Sequence, residues 1–313
     1  MRNTLIILLL CLCSCSREVY LFTSFHEPAN EGLRFLYSYD GYKWNDLGYN
    51  FLKPEAGAQK IMRDPSIVQG PDGIYHLVWT SGWKGNRDFG YASSRDLVHW
   101  SPQRLISIMA REPETVNVWA PELFYDDAAQ QFIIIWASTV PHRFPKGTEE
   151  ENNNHRMYYT LTKDFEHFSE AKLFLDPGFS VIDAVITERK SSGKPKDYVL
   201  VLKDNTRANR NLKVAFSSNP LGPYTDSSAP FSGKLTEGPA VVKVKDNWLI
   251  YYDAYGEKRY AAYRTADFKS FTDISAEIAV PAGHKHGTIF KSSKRILKGL
   301  KKEAQGLKNT GLK

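Results

Sequence analysis

The chain has 313 residues, of which 42% are hydrophobic, 13% aromatic and 24% charged, a balance that fills a core and excludes disorder as the main state. A formal charge of +6 invites a nucleic-acid partner, and three cysteines invite a disulfide. Both invitations depend on where those residues sit.

The first expected element is an export signal. Arg2 supplies a positive start, residues 5–12 form an apolar run too short to span a bilayer, and small residues follow. Leu12-Cys13-Ser14-Cys15 looks like a bacterial lipoprotein box, in which residues 1–14 are removed and Cys15 is acylated. Cys11 and Cys13 leave with the signal, so no disulfide is expected inside the mature chain. The expected place is outside the cytoplasm, lipid-anchored in the cell envelope at its periplasmic face or surface and in contact with the membrane through Cys15; an ordinary cleaved signal with incidental cysteines would give the same compartment without the anchor.

From there the periodicity is that of strands. Ile74-Tyr-His-Leu-Val-Trp79, Phe132-Ile-Ile-Ile-Trp136, Tyr198-Val-Leu-Val-Leu202 and Trp248-Leu-Ile-Tyr-Tyr252 are short β-branched and aromatic runs. Turn residues bound them, as in Gly70-Pro-Asp-Gly73, Asp126-Asp127, Ser191-Ser-Gly-Lys194 and Lys245-Asp-Asn247. A strand leading into a polar turn and then an aromatic recurs five times, ending at Asp40/Trp44, Asp96/Trp100, Asp164/Phe168, Asn219/Tyr224 and Asp267/Phe271. The fourth copy departs, with Asn219-Pro220-Leu-Gly-Pro223 in place of the Ser/Thr-x-Asp turn. The repeat length is that of a four-stranded propeller blade.

A second series fits the innermost strand of each blade: Arg63-Asp-Pro-Ser-Ile-Val68, Trp119-Ala-Pro-Glu-Leu-Phe124, Val181-Ile-Asp-Ala-Val-Ile186, Glu237-Gly-Pro-Ala-Val-Val242 and His286-Gly-Thr-Ile-Phe290. The fifth runs out of chain, and Tyr20-Leu-Phe-Thr-Ser24 with Gly32-Leu-Arg-Phe-Leu-Tyr37 supply its missing partners. Residues 15–290 are thus expected to be all-β, a single five-bladed propeller closed by pairing its N- and C-terminal strands, which removes exposed sheet edges. Residues 291–313 hold eight Lys/Arg against the single acid Glu303, so the charge is local and the body is slightly acidic. Ile296, Leu297, Leu300, Ala304 and Leu307 recur at helical spacing there, giving a short amphipathic C-terminal helix that either lies on the body or meets lipid. Nucleic acid drops out as a partner.

In a propeller the innermost strands converge on one axis, bringing Asp64, Glu122, Asp183, Glu237 and His286 to a common funnel. Four carboxylates there are costly unless they hold a metal or move protons. Taken with their motifs, these residues resemble glycoside hydrolase family 43, five-bladed propellers that release α-L-arabinofuranosyl or β-D-xylosyl units from plant polysaccharides. The resemblance runs over residues 20–290. It implies Asp64 as the general base that activates water, Glu237 as the general acid, and Asp183 as the group that orients Glu237 and raises its pKa, the pattern of an inverting hydrolase. Ala184 stands where family members often carry proline, and His284-Lys285-His286 is one version of the fifth motif.

Glu122 is open between a sugar contact and a strand anchor, and His286 between an axial water or cation contact and a structural histidine. Trp83, Trp119, Phe25, His26 and Lys203 stand at positions suited to line a sugar site, whose rings pack on aromatic faces. Residues 141–155, with Glu149-Glu-Glu-Asn-Asn-Asn154, either wall the pocket or form a free loop. No cofactor is required; a structural calcium ion in the channel is left open, and the expected partner is an oligo- or polysaccharide, with no protein partner. Two alternatives stand beside the hydrolase: a catalytically inactive sugar-binding propeller, and a fructosidase-like propeller, whose Asn-Asp-Pro-Asn-Gly and Glu-Cys motifs this chain lacks. Elbow, dinucleotide, Walker and zinc motifs are also missing.

Overall fold

The computed structural model describes residues 18–189 and 197–309, with side chains described through residue 306. The expected export segment with Cys15 and the expected turn at residues 191–194 fall outside the described residues. Five antiparallel sheets surround one axis. Blade 1 runs from Arg63–Gln69 outward through Tyr75–Thr80, Phe89–Ser94 and Arg104–Ile106. Blade 2 starts at Trp119–Asp126, blade 3 at Val181–Arg189 and blade 4 at Glu237–Val244. In blade 5 the N-terminal strand Glu18–His26 lies between Arg34–Ser38 on one side and His284–Lys285 with Ile289–Ser293 on the other. The ring therefore closes between the two ends of the chain, as the sequence predicts.

Alternation along each strand sends side chains to both neighbouring blades, and the core is five inter-blade layers. Leu21, Phe35, Leu77 and Trp79 fill the layer between blades 5 and 1, while Phe89, Ile134 and Trp136 fill that between 1 and 2. Ile135, Val181 and Leu200 join blades 2 and 3, Val201 and Ile250 join 3 and 4, and Leu249, Tyr251 and Phe22 join 4 and 5.

The recurrent polar turn has one construction in four blades. The hydroxyls of Ser38, Ser94, Thr162 and Thr265 accept the backbone N–H three residues on, at 2.8–2.9 Å, and the following Asp accepts two more N–H groups. The residue after each Asp takes a left-handed φ: Gly41 79°, Leu97 64°, Phe165 58° and Phe268 59°. Pro220 occupies that place in blade 3, and its ring forbids φ > 0. Among the described residues blade 3 accordingly has three strands where four are expected. An irregular segment takes the outer position, with Thr225, Ser228 and Phe231 N–H groups donating to Phe216, Val214 and Leu212.

The C-terminal helix is Lys294–Asn309, and its Ile296, Leu297, Leu300 and Ala304 pack into the layer between blades 5 and 1. The innermost strand of blade 5 continues to Ser293, three residues past the expected end of the propeller, because Ser293 pairs with Glu18.

Candidate active site

Four innermost strands open with the same irregularity. Register shifts lie between Arg63/Ser66, Trp119/Glu122, Ile182/Val185 and Glu237/Ala240, one extra residue in each strand. The residue inside each bulge has positive φ: Asp64 51°, Ala120 45°, Asp183 50° and Gly238 58°. A Cβ on Gly238 would sit 2.1 Å from His286 Cγ, so only glycine fits between the strand and that ring. The bulges also correct the expected alignment. Asp64 and Asp183 share a level, but Glu237 corresponds to Arg63, one position nearer the mouth, and Glu122 corresponds to Ser66, two positions deeper.

Asp64, Asp183 and Glu237 meet at a cavity of about 330 Å³ that Lys203 and His286 also line. Asp64 Oδ2 accepts from Thr80 Oγ1 at 2.7 Å, and Thr80 in turn accepts from Ala120 N at 2.8 Å, which fixes the carboxylate between blades 1 and 2. His286 is no isolated core histidine: its Nδ1 stands 3.2 Å from Asp64 Oδ1 and its Nε2 3.8 Å from Glu237 Oε1. The two carboxylates thus face the imidazole from its two nitrogens, on either side of the ring. Burial opposes the charge of His286, but the carboxylates, Asp64 first, lift its pKa to about 9.

Charge is distributed differently from the expectation that Asp183 raises the pKa of Glu237. Glu237 Oε2 accepts from Lys203 Nζ at 2.7 Å. Burial pushes the Glu237 carboxyl up, but Lys203 and His286 outweigh it and hold Glu237 well below the usual carboxylate range. Burial likewise opposes the charge on Lys203, whose pKa Glu237 and Asp183 nevertheless raise. The upward shift falls on Asp183 itself, driven by burial against the pull of His286 and Lys203. Asp183 Oδ2 accepts from Gly238 N at 3.1 Å, so it orients the strand that carries Glu237 rather than touching its carboxyl.

Trp83 and Trp119 form the aromatic rim. Their rings stack at 5.1 Å, Trp119 Nε1 donates to Trp83 O at 2.8 Å, and His155 stacks beneath Trp119 at 5.0 Å. Trp83 is 47% exposed. The loop of residues 141–155 is tied down: Glu149 accepts from Arg207 N at 2.9 Å and Asn205 donates to Asn153 at 3.0 Å, so it supports the wall through His155.

Phe25 and His26 are not wall residues. Phe25 is fully buried edge-on to His286 at 6.1 Å, and His26 turns toward His284 at 4.5 Å. Glu122 lines a smaller space of about 30 Å³ below the pocket, where burial lifts its carboxyl to about 8 while Ser66 pulls it back. That is room for roughly one water. Among the described residues no group of three His, Cys, Asp or Glu is spaced to hold a metal ion.

Arg63, Thr80, Asn205, Arg210 and Tyr255 also line the pocket or fix its base, and the sequence reading passes over them. Arg63 lies 4.5 Å over Trp83 and pairs with Glu27 at 2.6 Å. The available signal was positional: Thr80, Asn205 and Tyr255 end or follow second strands, which return to the end where innermost strands begin.

A family profile described as a probable glycosyl hydrolase domain, of the family 43-related group, matches residues 16–295. An α-L-arabinofuranosidase of Bifidobacterium longum subsp. longum is 23% identical over 169 residues, 44% of this chain but 16% of that relative. Among solved structures, a thermostable family-43 glycoside hydrolase superposes with TM-score 0.53 at 16% identity, covering 72% of this chain and 78% of the other. An α-L-arabinofuranosidase of Podospora anserina in complex with cellotriose gives TM-score 0.53 at 13% identity, covering 72% and 71%. At such identities the structural likeness shows the fold alone. With the profile spanning nearly the whole described propeller, the chain belongs to the family 43-related glycosyl hydrolases.

Proposed function

We propose that the protein is an exo-acting, inverting glycosidase that removes terminal α-L-arabinofuranosyl or β-D-xylosyl residues, with galactofuranosyl as a third candidate, from plant-type polysaccharides. The observation that carries this reading is the facing pair Asp64 and Glu237 on either side of His286 in one small cavity. Asp64 takes a proton from water as its oxygen bonds the anomeric carbon, while Glu237 gives a proton to the departing glycosidic oxygen. One displacement inverts the anomer. Asp183 positions Glu237 through Gly238, and the Trp83/Trp119 stack offers a flat face to a neighbouring sugar. The name of the Bifidobacterium longum relative supports the arabinofuranosyl choice. The lipoprotein box supports a tether at Cys15 and work outside the cytoplasm.

In the free pocket Lys203 keeps Glu237 ionised, so the productive protonation state is the minor one and turnover rises as pH falls from neutrality. The same ion pair is what a sugar-binding propeller without activity would show, which makes turnover the deciding measurement. Aryl arabinofuranosides, xylosides and galactofuranosides are the substrates to offer, with product stereochemistry read by NMR. Glu237→Gln is expected to lower kcat at least ~100-fold, the order that one general acid contributes. Absence of turnover on every glycoside, retained activity in Glu237→Gln, or a retained anomer refutes the mechanism.

A further inference from the structure

The C-terminal helix starts where the innermost strand of blade 5 ends, at the face of the ring opposite the pocket. Its apolar residues are consumed by the layer between blades 5 and 1, which turns the other face outward. On that face Arg295, Lys298 and Lys302 are exposed, spaced three and four residues apart and so aligned along one side. The helix carries six Lys/Arg and one acid, Glu303. Beside it, Lys301 Nζ lies 4.0 Å over the Tyr37 ring and donates to the Tyr39 hydroxyl at 3.3 Å, and Tyr39 is 60% exposed. A groove of about 630 Å³ runs between Tyr39 and the lysines. Among the described residues no helix is long and apolar enough to cross a membrane.

We infer that this face lies on an anionic phospholipid surface and holds the propeller with its pocket directed away from that surface. Charge complementarity favours the occupant, since headgroup phosphates answer a row of exposed cations, and an exposed tyrosine among lysines suits the headgroup boundary. Chain geometry selects a bilayer over other polyanions. Glu18 pairs with Ser293, so the strand that follows Cys15 by three residues begins beside the first turn of the helix, and three extended residues reach only about 10 Å. An acyl group on Cys15 would bring lipid to this end of the ring. The inference rests on the tether proposed above for its setting, but the helix surface is testable without it.

The chain from residue 15 with Cys15→Ser keeps every described residue and removes any acyl contribution. In vesicle sedimentation it is expected to bind phosphatidylcholine vesicles containing phosphatidylglycerol, to ignore phosphatidylcholine alone, and to be released by salt. Replacing Arg295, Lys298 and Lys302 by Gln lowers partitioning on the order of 100-fold at an unchanged unfolding midpoint. Were the triple variant to misfold, the salt dependence of the parent still decides. Equal binding to neutral vesicles, binding indifferent to the three substitutions, or a solution dimer that they dissociate overturns the inference, the last assigning the face to a second copy. Incorporation of labelled fatty acid, lost in Cys15→Ser, reads the tether separately, so failure of one is distinguishable from failure of the other.

Discussion

Next to Glu237 the free pocket sets two cations, Lys203 and His286. Lys203 is 3% exposed, so its charge acts on Glu237 with little screening by water. Because the ion pair depresses the Glu237 pKa, removing Lys203 leaves burial as the main influence and moves that pKa upward. Lys203→Met is therefore expected to shift the alkaline limb of kcat/KM to higher pH by ~1–3 units, as loss of a close opposite charge does. A pH–rate profile of the variant beside the parent checks this; an unmoved limb means Lys203 does not tune the acid. The same pair predicts a linkage to stability. A depressed carboxyl pKa stabilises the fold above the unfolded value, and that contribution fades as pH falls below the ordinary carboxylate range.

Asp64, Asp183 and His286 were legible because each stands inside a motif repeated in phase along the chain. Glu122 was misplaced because the carboxylates were matched by residue type: in register it stands level with Ser66, two positions deeper than Asp64. Lys203 was legible as a pocket residue but not as the partner of Glu237, because that partner lies 34 residues away and no local pattern encodes it.

At the scale of elements, the Ser/Thr-x-Asp turn shows how a short motif fixes a strand end. Ser94 is 4% exposed, and its hydroxyl accepts from Asp96 N and Leu97 N while donating to His99 O at 2.6 Å. Ser94→Ala leaves the Leu97 N–H without that acceptor and is expected to lower unfolding free energy by about 1–2 kcal/mol, read from urea unfolding at constant m. Ser217→Ala, where the hydroxyl accepts only from Asn219 N at 3.1 Å, is expected to lose less. Equal losses would show that the left-handed turn itself contributes nothing. The departure at Pro220 was visible in the sequence, but its result, a blade without a fourth strand, follows only when φ at that place is known to be positive in the other blades.

At the scale of the molecule, five blades were countable because two motifs alternate in fixed order, and the closing blade was inferable because one motif lacked partners. The direction of the pocket was not legible, since it depends on which strand ends share a face. Closure carries its own prediction. Deleting residues 284–313 removes the innermost strand of blade 5 and exposes the edge of Glu18–His26, so the truncated chain is expected to aggregate rather than yield a smaller folded ring. A monodisperse, cooperatively unfolding product in size-exclusion and thermal melts contradicts that.

The pairing of Glu18–His26 with Ile289–Ser293 also sets a clock. A ribosome or a translocation channel delivers the chain from one end, and the strand delivered first waits for the strand delivered last before its sheet exists. Loop closure over so long a separation is slow, and until it occurs the ring stays open. The fold completes only after its final segment has been delivered, so until then the propeller is an open chain of blades rather than a closed ring.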